Sequence, residues 1–383
     1  PIMLQIALIG IGNAGNQVAN VAVQKGIPAI CINSSIKDLD TIDESISVVL
    51  IGHSEGAGKD RSAAKRFLKD DFKKIVMADE FNQFIDPIDI VFIVSSSGGG
   101  TGSGVSIMFN DILRRIYRNK VFINIGILPT LVDSIGAQRN TLEYLKELNA
   151  TNNPYLLYDN NKFKDDDTAT YMEKVNRAIV DDLLYIRGDY SYKTQYGMID
   201  DADMYKILTV PGMINISKYE NFLEKDMDDG KFLDSFIIKD MKTNATCQLD
   251  RDRIIKRMGI IVNLTPDLNK YYDGSLLEFK KSVGEPIEIF EHYFVNESGD
   301  TKKYPNRFAM ILSGLSIPDD RIQIIMQRIE EAEEAIKKKK EGSLIDQVES
   351  LDALKVDSLG VDRTRSAEKE ALEDIDFDFL SKY

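Results

Sequence analysis

The apolar positions of this chain follow two rhythms. In the first half, short continuous runs of Ile, Val and Leu alternate with stretches where apolar residues recur every three or four positions. Continuous runs fit strands covered on both faces, and the periodic stretches fit amphipathic helices. The pattern predicts strands at residues 4–9, 29–32, 47–51, 88–94 and 121–128, with helices at 17–24, 62–77 and 105–118. Such alternation predicts a parallel sheet with helices on both faces, whose ligands bind at the carboxyl ends of the strands. A single long helix is predicted at 168–187, where Tyr171, Val175, Ile179, Leu183 and Ile186 lie near a 3.6-residue repeat.

Beyond Gly188 the texture changes. Residues 257–264, 287–294 and 308–315 fit strands of a second, mixed unit, and the alternation in Ile287-Glu288-Ile289-Phe290-Glu291 predicts one wet face. Pro318-Asp319-Asp320 opens a last helix with acids at its positive dipole end, and Lys337, Lys338, Lys339 and Lys340 suit its negative end. After Gly342, Leu344, Val348, Leu351 and Leu354 form a thin apolar stripe in acidic sequence. Two readings fit it equally: a solvated tail, or a segment that docks in a partner's groove.

Composition narrows the chemistry. A formal net charge of −14 argues against a large direct nucleic-acid contact, because neutralising phosphates takes clustered Lys and Arg. No apolar run approaches the ~18 residues of a membrane span. The opening residues run straight into a glycine turn and read as a core strand, not a signal peptide; a soluble, cytoplasmic protein is expected. Cys31 and Cys247 stand far apart with no C-x-x-C pair, which disfavours a disulfide framework and a zinc site. His53 and His292 are too few for a histidine metal cluster and read as structural or surface residues, so no metal-ligating side chains are expected. Chemistry must rest on carboxylates, amides and backbone.

Three glycine-rich turns lie at or near strand ends. Gly10-Ile11-Gly12-Asn13-Ala14-Gly15 satisfies G-x-G-x-x-G between a strand and a helix, a geometry that brings backbone N–H groups up to a phosphate. A dinucleotide-binding unit would carry an acid at the end of the second strand. Ile32-Asn33-Ser34-Ser35 stands there, with no acid before Asp38, so that reading is weakened and stays open. Gly52-His53-Ser54-Glu55-Gly56-Ala57-Gly58-Lys59-Asp60 has one spacer too many for a Walker A loop. Asp60 also replaces the magnesium-binding hydroxyl and would repel phosphates, so the P-loop is rejected and a mobile flap near a γ-phosphate is kept. The third turn, Ser95-Ser96-Ser97-Gly98-Gly99-Gly100-Thr101-Gly102-Ser103-Gly104, frees successive N–H donors to form an anion nest.

Gly98 to Gly104 match the GGGTG[ST]G signature of the tubulin/FtsZ superfamily at every position, and the chain is identified on that motif as a member. The resemblance implies an α/β fold: a parallel-sheet GTP-binding domain at 1–167, a central helix at 168–187, a mixed-sheet α+β second domain at 188–317, and a C-terminal helix and acidic tail at 318–383. It implies GTP/GDP and Mg²⁺ as ligands. Gly12, Asn13, Ala14, Gly15 and Asn16 resemble the family's first phosphate loop, Asn33 falls at its second, and Gly58 belongs to the glycine pair of its third. Gly98, Gly99, Gly100, Thr101, Gly102 and Ser103 form the phosphate nest.

Further on, Gly136-Ala137-Gln138-Arg139 is similar to FtsZ's Glu-Gly-x-x-Arg; this implies a nucleotide contact for Arg139. Ile135 stands where the acid belongs, and Asp133 is the alternative ribose acid. Tyr158-Asp159-Asn160-Asn161-Lys162-Phe163 resembles the segment whose asparagine reads guanine, which assigns Asn160 to the base, with Tyr171 stacking on it and Asn176 bonding its edge. An amide offers both a donor and an acceptor, as guanine's edge requires. Asp200 and Asp203 take the acidic positions of Asn-x-Asp-x-x-Asp, with Met198 in place of the asparagine.

In the family that loop enters the next subunit's pocket, so the resemblance implies a head-to-tail homopolymer with a shared catalytic site. The terminal helix and acidic tail look more like plasmid- and phage-borne partition tubulins of the TubZ type than like cell-division FtsZ. That implies DNA movement through a DNA-binding adaptor held by the tail. The alternatives are an FtsZ-like division filament and an NAD(P)-binding oxidoreductase.

Overall fold

A computed structural model describes residues 4–53, 55–163, 167–188, 197–224, 246–252, 254–272 and 274–341. Ten strands form one sheet: β1 (Ile6–Ile11), β2 (Ala29–Asn33), β3 (Ser47–Leu50), β4 (Ile90–Ser96), β5 (Val121–Leu128), β6 (Pro154–Asp159), β7 (Gly212–Glu220), β8 (Ile254–Leu264), β9 (Glu285–Val295) and β10 (Arg307–Leu315). Their order is β3-β2-β1-β4-β5-β6-β7-β10-β8-β9. Pairing is parallel from β3 through β7, antiparallel on both sides of β10, and parallel again between β8 and β9. The expected parallel sheet therefore continues, without a break in hydrogen bonding, into the mixed strands.

Helices α1 (Gly12–Gln24), α2 (Ile36–Leu39), α3 (Arg61–Met77), α4 (Asp79–Ile85), α5 (Thr101–Ile116) and α6 (Ile135–Ala150) alternate with the parallel strands. The first helix starts at Gly12, five residues before its expected start, so residues 12–16 of the first glycine turn form its opening turns. One core packs α1 and the long helix α7 (Thr168–Arg187) against one sheet face; a second packs α3 and α5 against the other. The third joins α6 and the mixed strands to the C-terminal helix, α11 below. Strands β1, β4 and β5 are almost wholly buried, as their largely apolar runs required.

The wet face expected for β9 is not what forms. β9 is the outermost described strand, and Ile287 and Ile289 are 62% and 43% exposed because no described element covers their side. Apolar alternation is a sound guide to the core only where a neighbouring layer exists.

Helix α7 is set by its ends. Asp167 accepts the N–H of Thr170 as N-cap, and Gly188, at φ +100°, closes the helix in the left-handed conformation. Twenty residues give a length of about 30 Å. About three-quarters of the way along it Asp182 is buried, ion-paired to Lys218 of β7 at 2.6 Å and accepting the Tyr158 hydroxyl at 2.8 Å. Burial pushes the Asp182 carboxyl up, and the Lys218 ammonium opposes that shift. Asp182→Ala would leave Lys218 unpaired, so a loss of about 3 kcal/mol is expected in urea unfolding. A loss under 1 kcal/mol would contradict the pairing.

Helices α8 (Asp201–Leu208), α9 (Pro266–Asn269), α10 (Leu277–Ser282) and α11 (Asp319–Glu341) complete the described chain. No described helix is long and apolar enough to cross a membrane. The apolar stripe after Gly342 lies outside the described residues.

Candidate functional site

The carboxyl ends of β1 to β6 converge on one edge of the sheet and carry every loop expected to meet a nucleotide. These loops are locked to one another at close range. A Cβ on Gly12 would meet the Gly102 nitrogen at 3.0 Å, and one on Gly100 would meet the Lys59 Cα at 2.6 Å. The first and second glycine turns thus both abut the third. Gly99 differs: a Cβ built there meets no described atom within 4 Å, so this peptide faces open space.

Asn16 and Asn33 sit beneath the loops. Asn16 is fully buried; its Nδ2 donates to the Gly10 carbonyl at 2.8 Å, and its Oδ1 accepts from Asn33 Nδ2 at 2.9 Å. Asn33 Oδ1 in turn accepts the N–H of Ser34 at 2.8 Å. Their amides hold the first two loops in register from below, while Asn13 is exposed above. The Ser34 and Thr101 hydroxyls are bonded at 2.7 Å, and the Gly56 N–H donates to the Ser34 carbonyl at 2.8 Å. Gly58, at φ +56°, lies in the same flap.

Asp60 has a local duty: its Oδ1 accepts the N–H groups of Ser62 and Ala63 and caps α3. That capping explains an acid so near the phosphate loops, where the sequence suggested repulsion.

Three ties were not foreseen. Arg61 is buried; its Nε donates to the Ser103 hydroxyl and its Nη2 to the Ser103 carbonyl, both at 3.0 Å, and it pairs with Glu147. Ser103 donates to the Gly99 carbonyl. Asn140 Nδ2 reaches the Lys59 carbonyl at 3.1 Å and the Gly98 carbonyl at 3.2 Å, fastening two loops from α6. Each tie spans at least 40 residues, except the Ser103 bond, and no local pattern signals them.

The remaining residues spread around this edge. Asp133 accepts the Thr130 N–H at 2.7 Å and hydroxyl at 2.8 Å, closing the turn after β5. Arg139 is exposed and pairs with Glu333 of α11, away from the glycine turns' own bonds. Asn160 opens a short 3₁₀ turn (Asn160–Phe163) after β6; its Oδ1 is buried without a hydrogen-bond partner among the described residues. Tyr171 is buried on the first turn of α7, and Asn176 is half-buried below it.

This arrangement fits a guanine nucleotide. Clustered neutral N–H groups suit phosphates, and the orphaned Asn160 acceptor suits the N–H edge of a base. Among the described residues no cluster of three or more His, Cys, Asp or Glu could hold a metal. Mg²⁺ accepts that, since it binds mainly through phosphate and water oxygens.

Asp200 and Asp203 lie at the other end of the molecule. Asp200 caps α8, its Oδ1 accepting the Asp203 N–H at 2.8 Å, and Asp203 faces Lys206 at 3.5 Å. The neighbouring Asp201 carboxyl is raised by burial and by Asp200; it accepts the Leu4 N–H and lies near Asp89. Leu4 and Asp89 precede β1 and β4, so α8 starts at the amino edge of the sheet. A six-residue strand separates the two edges by about 20 Å. No side chain spans that gap, so the acids cannot reach their own chain's glycine loops.

Residues 5–166 match the model of the Tubulin/FtsZ family, GTPase domain. The tubulin-like protein TubZ of Clostridium botulinum C phage is 24% identical over 297 residues, covering 76% of this chain and 75% of that protein. The tubulin-like protein CetZ of Pyrococcus abyssi (strain GE5 / Orsay) is 25% identical over 357 residues, covering 88% of this chain and 93% of that one. A GTPγS-form protofilament of Bacillus thuringiensis serovar israelensis TubZ superposes with a TM-score of 0.68 at 16% identity, covering 90% and 94% of the two chains. At that identity the likeness speaks for the fold. Residues 5–166 thus match the GTPase domain of the tubulin/FtsZ family, in a chain whose described residues share a tubulin/FtsZ-like α/β fold.

Proposed function

We propose that this protein is a GTP-driven filament former whose hydrolytic site is completed by the next subunit, and that it moves or positions DNA through an adaptor. The observation that carries the reading is the placement of phosphate loops and acids on opposite edges of one sheet. Head-to-tail stacking brings the α8 acids of one copy over the glycine loops of the next. The GTPγS protofilament of the Bacillus relative is consistent with such stacking.

In this arrangement the N–H groups of residues 98–103 and the turn at 12–15 bind the phosphates. Asn160, Tyr171 and Asn176 take the base, Asp133 takes the ribose, and Arg139 is released from Glu333 to approach the nucleotide. Asn16 and Asn33 act from beneath, as the braces of the loops. Mg²⁺ would be carried by the phosphates beside the Ser34 and Thr101 hydroxyls, and it supplies charge neutralisation there. Asp200 and Asp203 orient and deprotonate the attacking water. Phosphoryl transfer is catalysed mainly by positioning and charge stabilisation, so a carboxylate pair arriving by assembly can act as the switch. The acidic tail after Gly342 is the adaptor's docking segment, and the chain itself makes no nucleic-acid or membrane contact.

A second reading, a filament without DNA cargo, is favoured by the larger share of chain matched to CetZ. Both readings share one test. Phosphate release per subunit, followed with right-angle light scattering, should climb above a threshold protein concentration with GTP and not with ATP or NAD. A per-subunit rate that stays flat from the monomer range upward would refute the shared site.

A further inference from the structure

The C-terminal helix grips the loops assigned to the base. Arg321, in the first turn of α11, and Asp159, at the end of β6, form an ion pair with side chains only 3% and 8% exposed. Arg321 Nε donates to Asp159 Oδ2 at 2.8 Å, and its Nη2 donates to Asp159 Oδ1 at 3.1 Å and to the Pro129 carbonyl at 2.7 Å. Two turns on, Arg328 Nε donates to the Leu131 carbonyl at 3.2 Å. Asp159 Oδ1 also accepts the Asn161 N–H at 2.9 Å, and Asn161 Oδ1 accepts the Leu131 N–H at 3.5 Å.

One guanidinium therefore fixes the end of β6, the start of the 3₁₀ turn and the loop after β5. Asn160 stands inside this frame, flanked by Asp159 and Asn161. Stability alone is a weak reason for such a pair, since burying two charges costs about what their attraction returns. What a planar two-pronged donor gives is angular definition. Angular definition is what a hydrogen bond to a flat base needs from its supporting groups.

We propose that Arg321 is a positioning residue for guanine recognition, aligning Asn160 through Asp159 and so making α11 part of the nucleotide site. The proposal rests on the assignment of Asn160 to the base.

The test compares GTP with ITP, whose base lacks the 2-amino group, by competition binding to the full-length chain. Arg321→Lys keeps the charge and loses the fork. It is expected to weaken GTP about tenfold, the worth of one well-made hydrogen bond, while ITP weakens much less. The GTP/ITP ratio then falls toward that of Asn160→Ala. Should the lysine variant fold poorly, Arg321→Met combined with Asp159→Asn removes both charges, and the same fall in ratio is expected. Proportional weakening of GTP and ITP in the Arg321 variants, beside a selective loss in Asn160→Ala, overturns the positioning role alone. An Asn160→Ala variant with an unchanged ratio overturns the base assignment, and the proposal with it.

Discussion

Asp200→Asn and Asp203→Asn are each expected to keep GTP binding and assembly while cutting phosphate release by about 10²–10⁴-fold, the range of a positioned acid or base. The choice of asparagine follows from the structure. Asp200 Oδ1 caps α8 by accepting the Asp203 N–H, so alanine would lose about 1 kcal/mol of cap along with the charge. Asparagine keeps a capping oxygen and removes only the charge. The two carboxylates flank Asp201, whose carboxyl accepts the Leu4 N–H near Asp89 at the amino edge of the sheet, so their loss cannot disturb the chain's own phosphate loops. GTP affinity measured in the monomer range should stay within about twofold, a change of some 0.4 kcal/mol. Variants that hydrolyse at the parental rate once assembled would remove the acids from the mechanism.

Local signals were the readable part of this chain. Strand β5 was expected at 121–128 and forms there, because a short, mostly apolar run of Val, Ile, Phe and Leu between Lys120 and Pro129 favours a buried strand. Helix α7 was legible from its 3.6-residue apolar repeat, with Asp167 and Gly188 punctuating its ends. Helix α6 and strands β6 and β7 escaped the pattern. α6 mixes Asn140, Thr141 and Asn149 into a shallow apolar stripe, and its start is marked only by the Ser134 cap.

The glycine turns were legible as phosphate loops since strand, glycine and helix are neighbours in sequence. What fastens them was not. Arg61 with Ser103, Ser34 with Thr101, and Asn140 with Lys59 join residues 42, 67 and 81 positions apart. Nor could sequence tell a contacting amide from a bracing one: Asn13 is exposed, and Asn16, three residues on, is fully buried.

Gly99→Ala and Gly15→Ala should fail in opposite ways. A Cβ at Gly15 would lie 2.2 Å from the Val94 carbonyl oxygen, inside the backbone of a central strand that cannot move aside. Overpacking of that kind is expected to cost about 3 kcal/mol of stability, so the melting temperature falls together with nucleotide affinity. At Gly99 no described atom lies within 4 Å of the added carbon, so the melting temperature should hold. The methyl instead enters the space where phosphate oxygens meet the nest, and GTP should bind about 100-fold more weakly, or some 2.7 kcal/mol.

The two kinds of defect also permit a decisive mixture. Gly99→Ala retains good acids and has a poor pocket; Asp200→Asn retains a good pocket and has poor acids. Each alone should release little phosphate. Mixed, the acids of the first can meet the GTP held by the second, and turnover should recover severalfold wherever the two sit in the productive order. Co-assembled variants that stay silent together would mean that pocket and acids do not meet across the subunit contact.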